Sequence, residues 1–195
     1  MSTHLVPGHH AVTLGILAGG AGSRLGGCDK AWLQRDGEAL VVSLARRMAR
    51  QVDAVMVGAN RNPERYLRHG LRAIHDRVHG IGPLGGLDAL ADACRSPWLL
   101  TLPVDLLSLP EDLLERLQAA GNGACAEDSD GPQPLVALWH TQRLRAAASA
   151  AVTAGDHAVH ALQARLGMPA VRFAGLRFGN LNTPADLVAA GIEAS

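Results

Sequence analysis

Val12-Thr13-Leu14-Gly15-Ile16-Leu17-Ala18-Gly19-Gly20-Ala21-Gly22-Ser23-Arg24-Leu25-Gly26-Gly27-Cys28-Asp29-Lys30 passes from an apolar run into a glycine-rich segment. The run Val12 to Ala18 is short and ends in glycines, which predicts a buried strand. Five glycines then follow Ala18 before Lys30. Glycine lets a backbone turn through positive φ and approach a ligand closely. Successive N–H groups in such a loop converge on phosphate oxygens. Arg24 and Lys30 add two cations, a combination suited to a triphosphate. Two common phosphate motifs are absent. A dinucleotide fingerprint fails because Gly20 and Gly22 are followed by Leu25, and a P-loop fails because Gly27 is followed by Cys28 and Asp29.

Outward from this loop, helical and strand patterns alternate. Glu38 to Gln51 carries Leu40, Val41, Leu44 and Met48 at helical spacing. Val52 to Val57 and Leu71 to Ile74 read as strands, with a short helix over Pro63 to His69 between them. His75 to Gly82 reads as loop, followed by a helix with Leu84, Leu87, Ala91 and Cys94 on one face. Trp98 to Leu102 reads as a strand broken by Pro103. Ser108-Leu109-Pro110 opens a helix running to about Ala120, with proline in its first turn.

The second half reads as strands at Ala124 to Ala126, Pro134 to Trp139 and Ala170 to Phe173. Helices are expected at Arg143 to Val152 and His157 to Leu166, and a last helix starts at Thr183-Pro184, with Thr183 as N-cap. The alternation predicts a single-domain α/β fold, a Rossmann-like three-layer sandwich with a mostly parallel sheet. Residues 1–10 read as a flexible tail and 11–195 as the domain. Ligands in such sheets sit outside the carboxyl ends of the strands.

Composition narrows the function. The chain has 195 residues, which sets a prior near one domain. A chain of this size buries roughly 70% of its unfolded surface, enough for a core without staples. Lys+Arg and Asp+Glu number 18 each, so bulk attraction to nucleic acid or an anionic membrane is absent. Three cysteines, Cys28, Cys94 and Cys125, form no C-x-x-C pair, which fits a reducing cytoplasm. No apolar run reaches the ~18 residues that a membrane span needs, and no signal peptide precedes Val12. Six aromatic residues are too few for a base-stacking platform. His75 with His79, and His157 with His160, lack a third ligand at suitable spacing and read as solvated or locally bonded.

The string L-A-G-G-x-x-x-R-L-G-G-x-D-K over Leu17 to Lys30 resembles the signature of the molybdenum cofactor guanylyltransferases, within the Rossmann-like nucleotidyltransferases. The likeness recurs as Gly82-Pro83-Leu84-Gly85-Gly86, Pro103-Val104-Asp105, Gln133-Pro134 and Asn180-Leu181-Asn182-Thr183-Pro184-Ala185-Asp186-Leu187. It implies transfer of GMP from GTP to molybdopterin, with release of pyrophosphate. It implies GTP contacts at Leu17, Ala18, Gly19, Gly20, Gly22, Lys30, Asp76, Gly82 and Asp105, with Arg24, Lys30 and Asp105 as catalytic residues. Asp105 would hold Mg²⁺, which takes one or two carboxylates plus substrate phosphates. Asn180 and Asn182 would lie on the pterin side, and an extended segment would put both side chains on one face. The resemblance also implies hand-over to apo-molybdoenzymes or a cofactor-insertion protein.

The residues alone leave local roles open. Asp105 also suits an N-cap or turn, Asp76 a loop cap, and the two asparagines a turn. Leu17-Ala18-Gly19-Gly20 favours a guanine over the L-A-A-G of cytidylyl relatives. A cytidylyltransferase, a sugar-phosphate nucleotidyltransferase and a non-catalytic carrier remain as alternatives. Where close guanylyl relatives often carry an asparagine, this chain has Gly58, which leaves Asn60 to compensate.

Overall fold

The computed structural model describes residues 11–19, 29–181 and 183–193. Strand β1 (Val12–Leu17) forms from the apolar run. A 3-10 turn (Lys30–Trp32) leads into a small hairpin of β2 (Gln34–Arg35) and β3 (Glu38–Ala39). Helix α1 (Leu40–Met48), β4 (Ala54–Gly58), α2 (Pro63–Arg68) and β5 (Arg72–Ile74) follow. Helix α3 (Pro83–Ala93), β6 (Trp98–Pro103), α4 (Leu113–Ala119), β7 (Ala124–Asp128) and β8 (Gly131–His140) come next. The chain ends with α5 (Thr141–Ala154), α6 (Val159–Leu166), β9 (Ala170–Arg172), α7 (Pro184–Ala189) and β10 (Ile192–Glu193).

The main sheet has seven strands in the order β5-β4-β1-β6-β8-β7-β9. Strands β5, β4, β1 and β6 are mutually parallel. Strand β8 runs antiparallel to both β6 and β7, while β7 and β9 are parallel. The reversal has a local cause. Only Ser129 and Asp130 separate β7 from β8, and a two-residue connection closes an antiparallel hairpin, not a crossover.

Side chains alternate across the sheet with the two-residue strand period. Val12, Leu14 and Ile16 of β1 and Leu100 and Leu102 of β6 join α1 and α4 in one core. On the other face, Leu99 and Trp139 meet Leu87 and Leu90 of α3 and Leu144 and Ala148 of α5. Gly15 lets α3 close on the sheet, since a Cβ there would lie 3.0 Å from a Leu90 methyl. Helices therefore cover both faces, giving three layers.

Several expected boundaries shift. Glu38 and Ala39 pair with β2 and do not belong to the following helix, which starts at Leu40. Asp36 and Gly37 both have positive φ, at 53° and 76°, the conformation of a two-residue hairpin turn. Strand β10 adds to β2, so a second, three-stranded sheet stands beside the first. Helix α4 starts at Leu113, not at Ser108, because Ser108 donates to Phe178 O at 3.0 Å and is tied to a distant segment. Strand β8 extends to Gly131 and His140, beyond the expected Pro134 to Trp139. The expected last helix is present, and Thr183 and Asp186 form a reciprocal capping box at its start.

Candidate active site

Strands β1, β4, β5 and β6 deliver their carboxyl ends to one edge of the sheet, and the site is built there. Leu17 ends β1, and its carbonyl accepts a hydrogen bond from Val104 N at 3.1 Å. This bond fixes Asp105 beside the start of the glycine-rich segment. Ala18 N donates to Gly58 O at 3.0 Å, so the same segment is also tied to β4. Gly19 lies exposed between them. Gly20, Gly22 and Arg24 of the glycine-rich segment, and Asn182, lie outside the described residues.

Lys30 re-enters the site from the far end of that segment. Asp29 caps the 3-10 turn by accepting from Ala31 N at 3.1 Å. Trp32 is buried and its ring lies 4.8 Å from that of Tyr66 on α2, which anchors the turn. Burial first, then the nearby Asp29 charge, pushes the Tyr66 hydroxyl well above its ordinary range, so it stays neutral. From this base Lys30 Nζ donates to Asp105 Oδ2 at 2.7 Å. The side chains are 23% and 13% exposed, so this pair is screened less than a surface pair.

Asp76 follows β5 and is held from two directions. Asn60 Nδ2 donates to Asp76 Oδ2 at 2.8 Å, and Asn60 Oδ1 accepts from Asp76 N at 2.8 Å. Asn60, the residue available to compensate for Gly58, thus uses both ends of its amide on Asp76. Next to Asp76, Arg77 makes a bidentate contact with Asp88 of α3 at 2.9 and 2.8 Å. Asp88 is 2% exposed, and the bonds from Arg77 meet its need for a partner. The sequence reading missed this pair, although a lone carboxylate between Leu87 and Leu90 on an apolar helix was a visible signal.

Gly82 caps α3 with φ 64° and ψ −150°, a conformation essentially restricted to glycine, and Pro83 takes the first helical position. Gly85 and Gly86 then let the helix approach Asp76. A Cβ on Gly85 would lie 3.2 Å from Asp76 Oδ2 and 2.9 Å from Val78 O. Gly19, Asn60, Asp76 and the start of α3 thereby gather on the β4–β5 side of β1.

On the other side of β6, Asn180 pairs with Leu106 in an antiparallel bridge. This places it one residue from Asp105 along the partner segment. Gln133 donates from Nε2 to Asp128 Oδ1 at 3.1 Å, and so serves an internal contact.

One carboxylate, Asp105, sits at the joined ends of β1 and β6 against Lys30. Among the described residues no cluster of three or more His, Cys, Asp or Glu side chains could hold a metal by protein ligands alone. A single carboxylate matches Mg²⁺, which keeps several waters and shares substrate phosphates. It does not match a closed zinc site.

A mostly parallel sheet, a glycine-rich stretch of sequence after its central strand and a lysine–carboxylate pair at its carboxyl edge fit a nucleotidyltransferase. The MobA-like NTP transferase domain matches residues 14–169. A molybdenum cofactor guanylyltransferase of Acidiphilium cryptum is 41% identical over 181 residues, covering 90% of this chain and 91% of the relative. One of Photobacterium profundum is 34% identical over 183 residues, covering 88% and 91%. Among solved structures, molybdopterin-guanine dinucleotide biosynthesis protein A of Archaeoglobus fulgidus superposes with a TM-score of 0.72 at 21% identity, covering 91% of this chain and 96% of that one. The 2-C-methyl-D-erythritol 4-phosphate cytidylyltransferase of Thermus thermophilus shares the fold with a TM-score of 0.67 at 19% identity, covering 90% and 95%. The chain belongs to the MobA-like NTP transferase family. Nucleotidyltransferases of this family generally use a divalent metal. Among the described residues no helix is long and apolar enough to cross a membrane.

Proposed function

We propose that this chain transfers GMP from GTP to molybdopterin, forming molybdopterin guanine dinucleotide and pyrophosphate. The observation that carries this reading is the Lys30–Asp105 pair at the joined ends of β1 and β6. The guanylyltransferase relatives, aligned over nine-tenths of the chain, support the substrate assignment.

In the reaction, an oxygen of the molybdopterin phosphate forms a bond to the α-phosphorus of GTP. The bond from that phosphorus to the oxygen bridging to the β-phosphate breaks, and pyrophosphate leaves with the electron pair. The attacking oxygen is already anionic, so no strong general base is needed. The barrier is mainly charge repulsion and alignment. Mg²⁺ held by Asp105 and the substrate phosphates would neutralise charge on the triphosphate. Lys30, Arg24 and the N–H groups of the glycine-rich segment bind the phosphates and stabilise charge that develops on the leaving group. Asp76 offers a carboxylate to guanine, whose N1–H and N2–H donors can meet both oxygens, whereas cytosine offers only its N4 amino group. Asn180 and Asn182 would serve the pterin substrate. Residues 11–195 act as one domain, in the cytoplasm, with transient delivery of product to molybdoenzymes or an insertion protein.

Calorimetric titration with GTP and with CTP, each with Mg²⁺, tests the reading. Preference for GTP, lost in Lys30→Ala, is the expected result. Preference for CTP would keep the fold and the mechanism and assign a cytidylyl transfer. Failure to bind either nucleotide would favour a sugar-phosphate substrate or a carrier role.

A further inference from the structure

Asp128 ends β7 and is 4% exposed. Its Oδ2 accepts from Phe178 N at 2.7 Å, fifty residues away in sequence. Its Oδ1 accepts from Asp130 N at 2.9 Å and from Gln133 Nε2 at 3.1 Å. Burial alone would push this carboxyl up. The hydrogen bonds from Phe178, Asp130, Gln133 and Gly131 together outweigh it and hold the group below its ordinary range. Asp128 is therefore a charged, fully engaged carboxylate inside the protein, with no part in the Lys30–Asp105 pair.

The segment it grips continues to the active site. Phe178 O accepts from Leu107 N at 2.9 Å and from Ser108 N at 3.0 Å. Asn180 then bridges to Leu106, the neighbour of Asp105. Gly179 has φ 64°, and a Cβ there would lie 2.9 Å from a Leu107 methyl, so the two segments meet with no room to spare. This seam stands on the β8–β7 side of β6, whereas Asp76 and Asn60 stand beyond β1 on the β4–β5 side. The seam and the Asp76 cluster thus flank Asp105, and only the cluster includes Asn60.

We infer that Asp128 is a positioning residue for the acceptor substrate: it seats the Asn180 segment against the Asp105 loop without taking part in nucleotide binding. The inference rests on the guanylyltransferase reading, in which Asn180 lies on the pterin side. A charged acceptor suits this task, because hydrogen bonds to a carboxylate are roughly twice as strong as neutral ones.

The test uses the full chain with Mg²⁺, GTP and molybdopterin, at temperatures well below each variant's melting point. Asp128→Asn keeps an acceptor for Phe178 N but places an amide group against donors. Gly179→Ala disturbs the same seam from its other face and guards against misfolding of the first variant. In both, the KM for molybdopterin should rise about tenfold or more, while GTP affinity by calorimetry stays within about twofold. A general loss of structure would instead weaken GTP and molybdopterin together, and that result, or an unchanged KM in both variants, overturns the positioning role. Wild-type protein that binds GTP but makes no product from molybdopterin overturns the functional reading, and this inference with it.

Discussion

Lys30 Nζ lies 2.7 Å from Asp105 Oδ2, joining residues seventy-five positions apart in sequence across the mouth of the site. The contact puts a cation and an anion where a triphosphate and a divalent metal must both be met. Asp105→Ala and Lys30→Ala should each lower turnover by roughly 10²-fold or more, the usual cost of removing one preorganised charge stabiliser. Steady-state pyrophosphate release measures it. Near-wild-type turnover by Asp105→Ala would remove that residue from the reaction.

Asn60 orients Asp76 through two hydrogen bonds of 2.8 Å, one to the carboxylate and one to the backbone. Asn60→Ala should free the carboxylate to rotate. GTP affinity should fall roughly five- to tenfold, the size expected for losing about 1 kcal/mol of net hydrogen bonding. CTP binding, in which cytosine offers only a single amino donor, should fall less. Equal losses for both nucleotides would place Asn60 outside base recognition.

The Arg77–Asp88 contact links the Asp76 loop to α3, with side chains 45% and 3% exposed. Removing Arg77 leaves a buried carboxylate without its bidentate partner. Arg77→Ala should cost about 2 kcal/mol by urea denaturation, at the low end for such pairs because water screens the half-exposed arginine. Arg77→Met combined with Asp88→Leu should recover much of that loss, since no orphaned charge remains. A double variant no more stable than Arg77→Ala would contradict this account.

Folded Asp128 titrates below the ordinary carboxylate value of 3.8. The unfolded chain therefore binds the proton more readily, and the carboxylate stabilises the fold above about pH 4. That contribution is lost as pH falls through the lowered folded value. Asp128→Asn should be less stable than wild type at neutral pH, and the gap should narrow in denaturation series taken below about pH 4. A gap that stays constant down to the acid limit would show that charge at Asp128 is immaterial.

Much of this arrangement was legible in the residues. The apolar run before the glycines set the central strand, and the Gly82-Pro83 pair and the Thr183–Asp186 box marked two helix starts through local chemistry. What stayed hidden depended on distant partners. Ser108-Leu109-Pro110 has the pattern of a helix start, yet Ser108 is bound to Phe178, so tertiary pairing overrode a local signal. Glu127-Asp128-Ser129-Asp130-Gly131 reads only as a polar turn, because nothing local reveals that Asp128 reaches Phe178. The Asp36-Gly37 hairpin is a different case. Its Asp-Gly turn signal stands just before the helix expected from Glu38, whereas its strands need β10 from the far end of the chain to complete the small sheet.

The most direct measurement is the product formed when purified protein is supplied with molybdopterin, Mg²⁺ and an equal mixture of GTP and CTP. The account predicts pyrophosphate release that depends on molybdopterin, with molybdopterin guanine dinucleotide as the main product by mass spectrometry. The cytosine dinucleotide as main product, or GTP bound without pyrophosphate release, would contradict it.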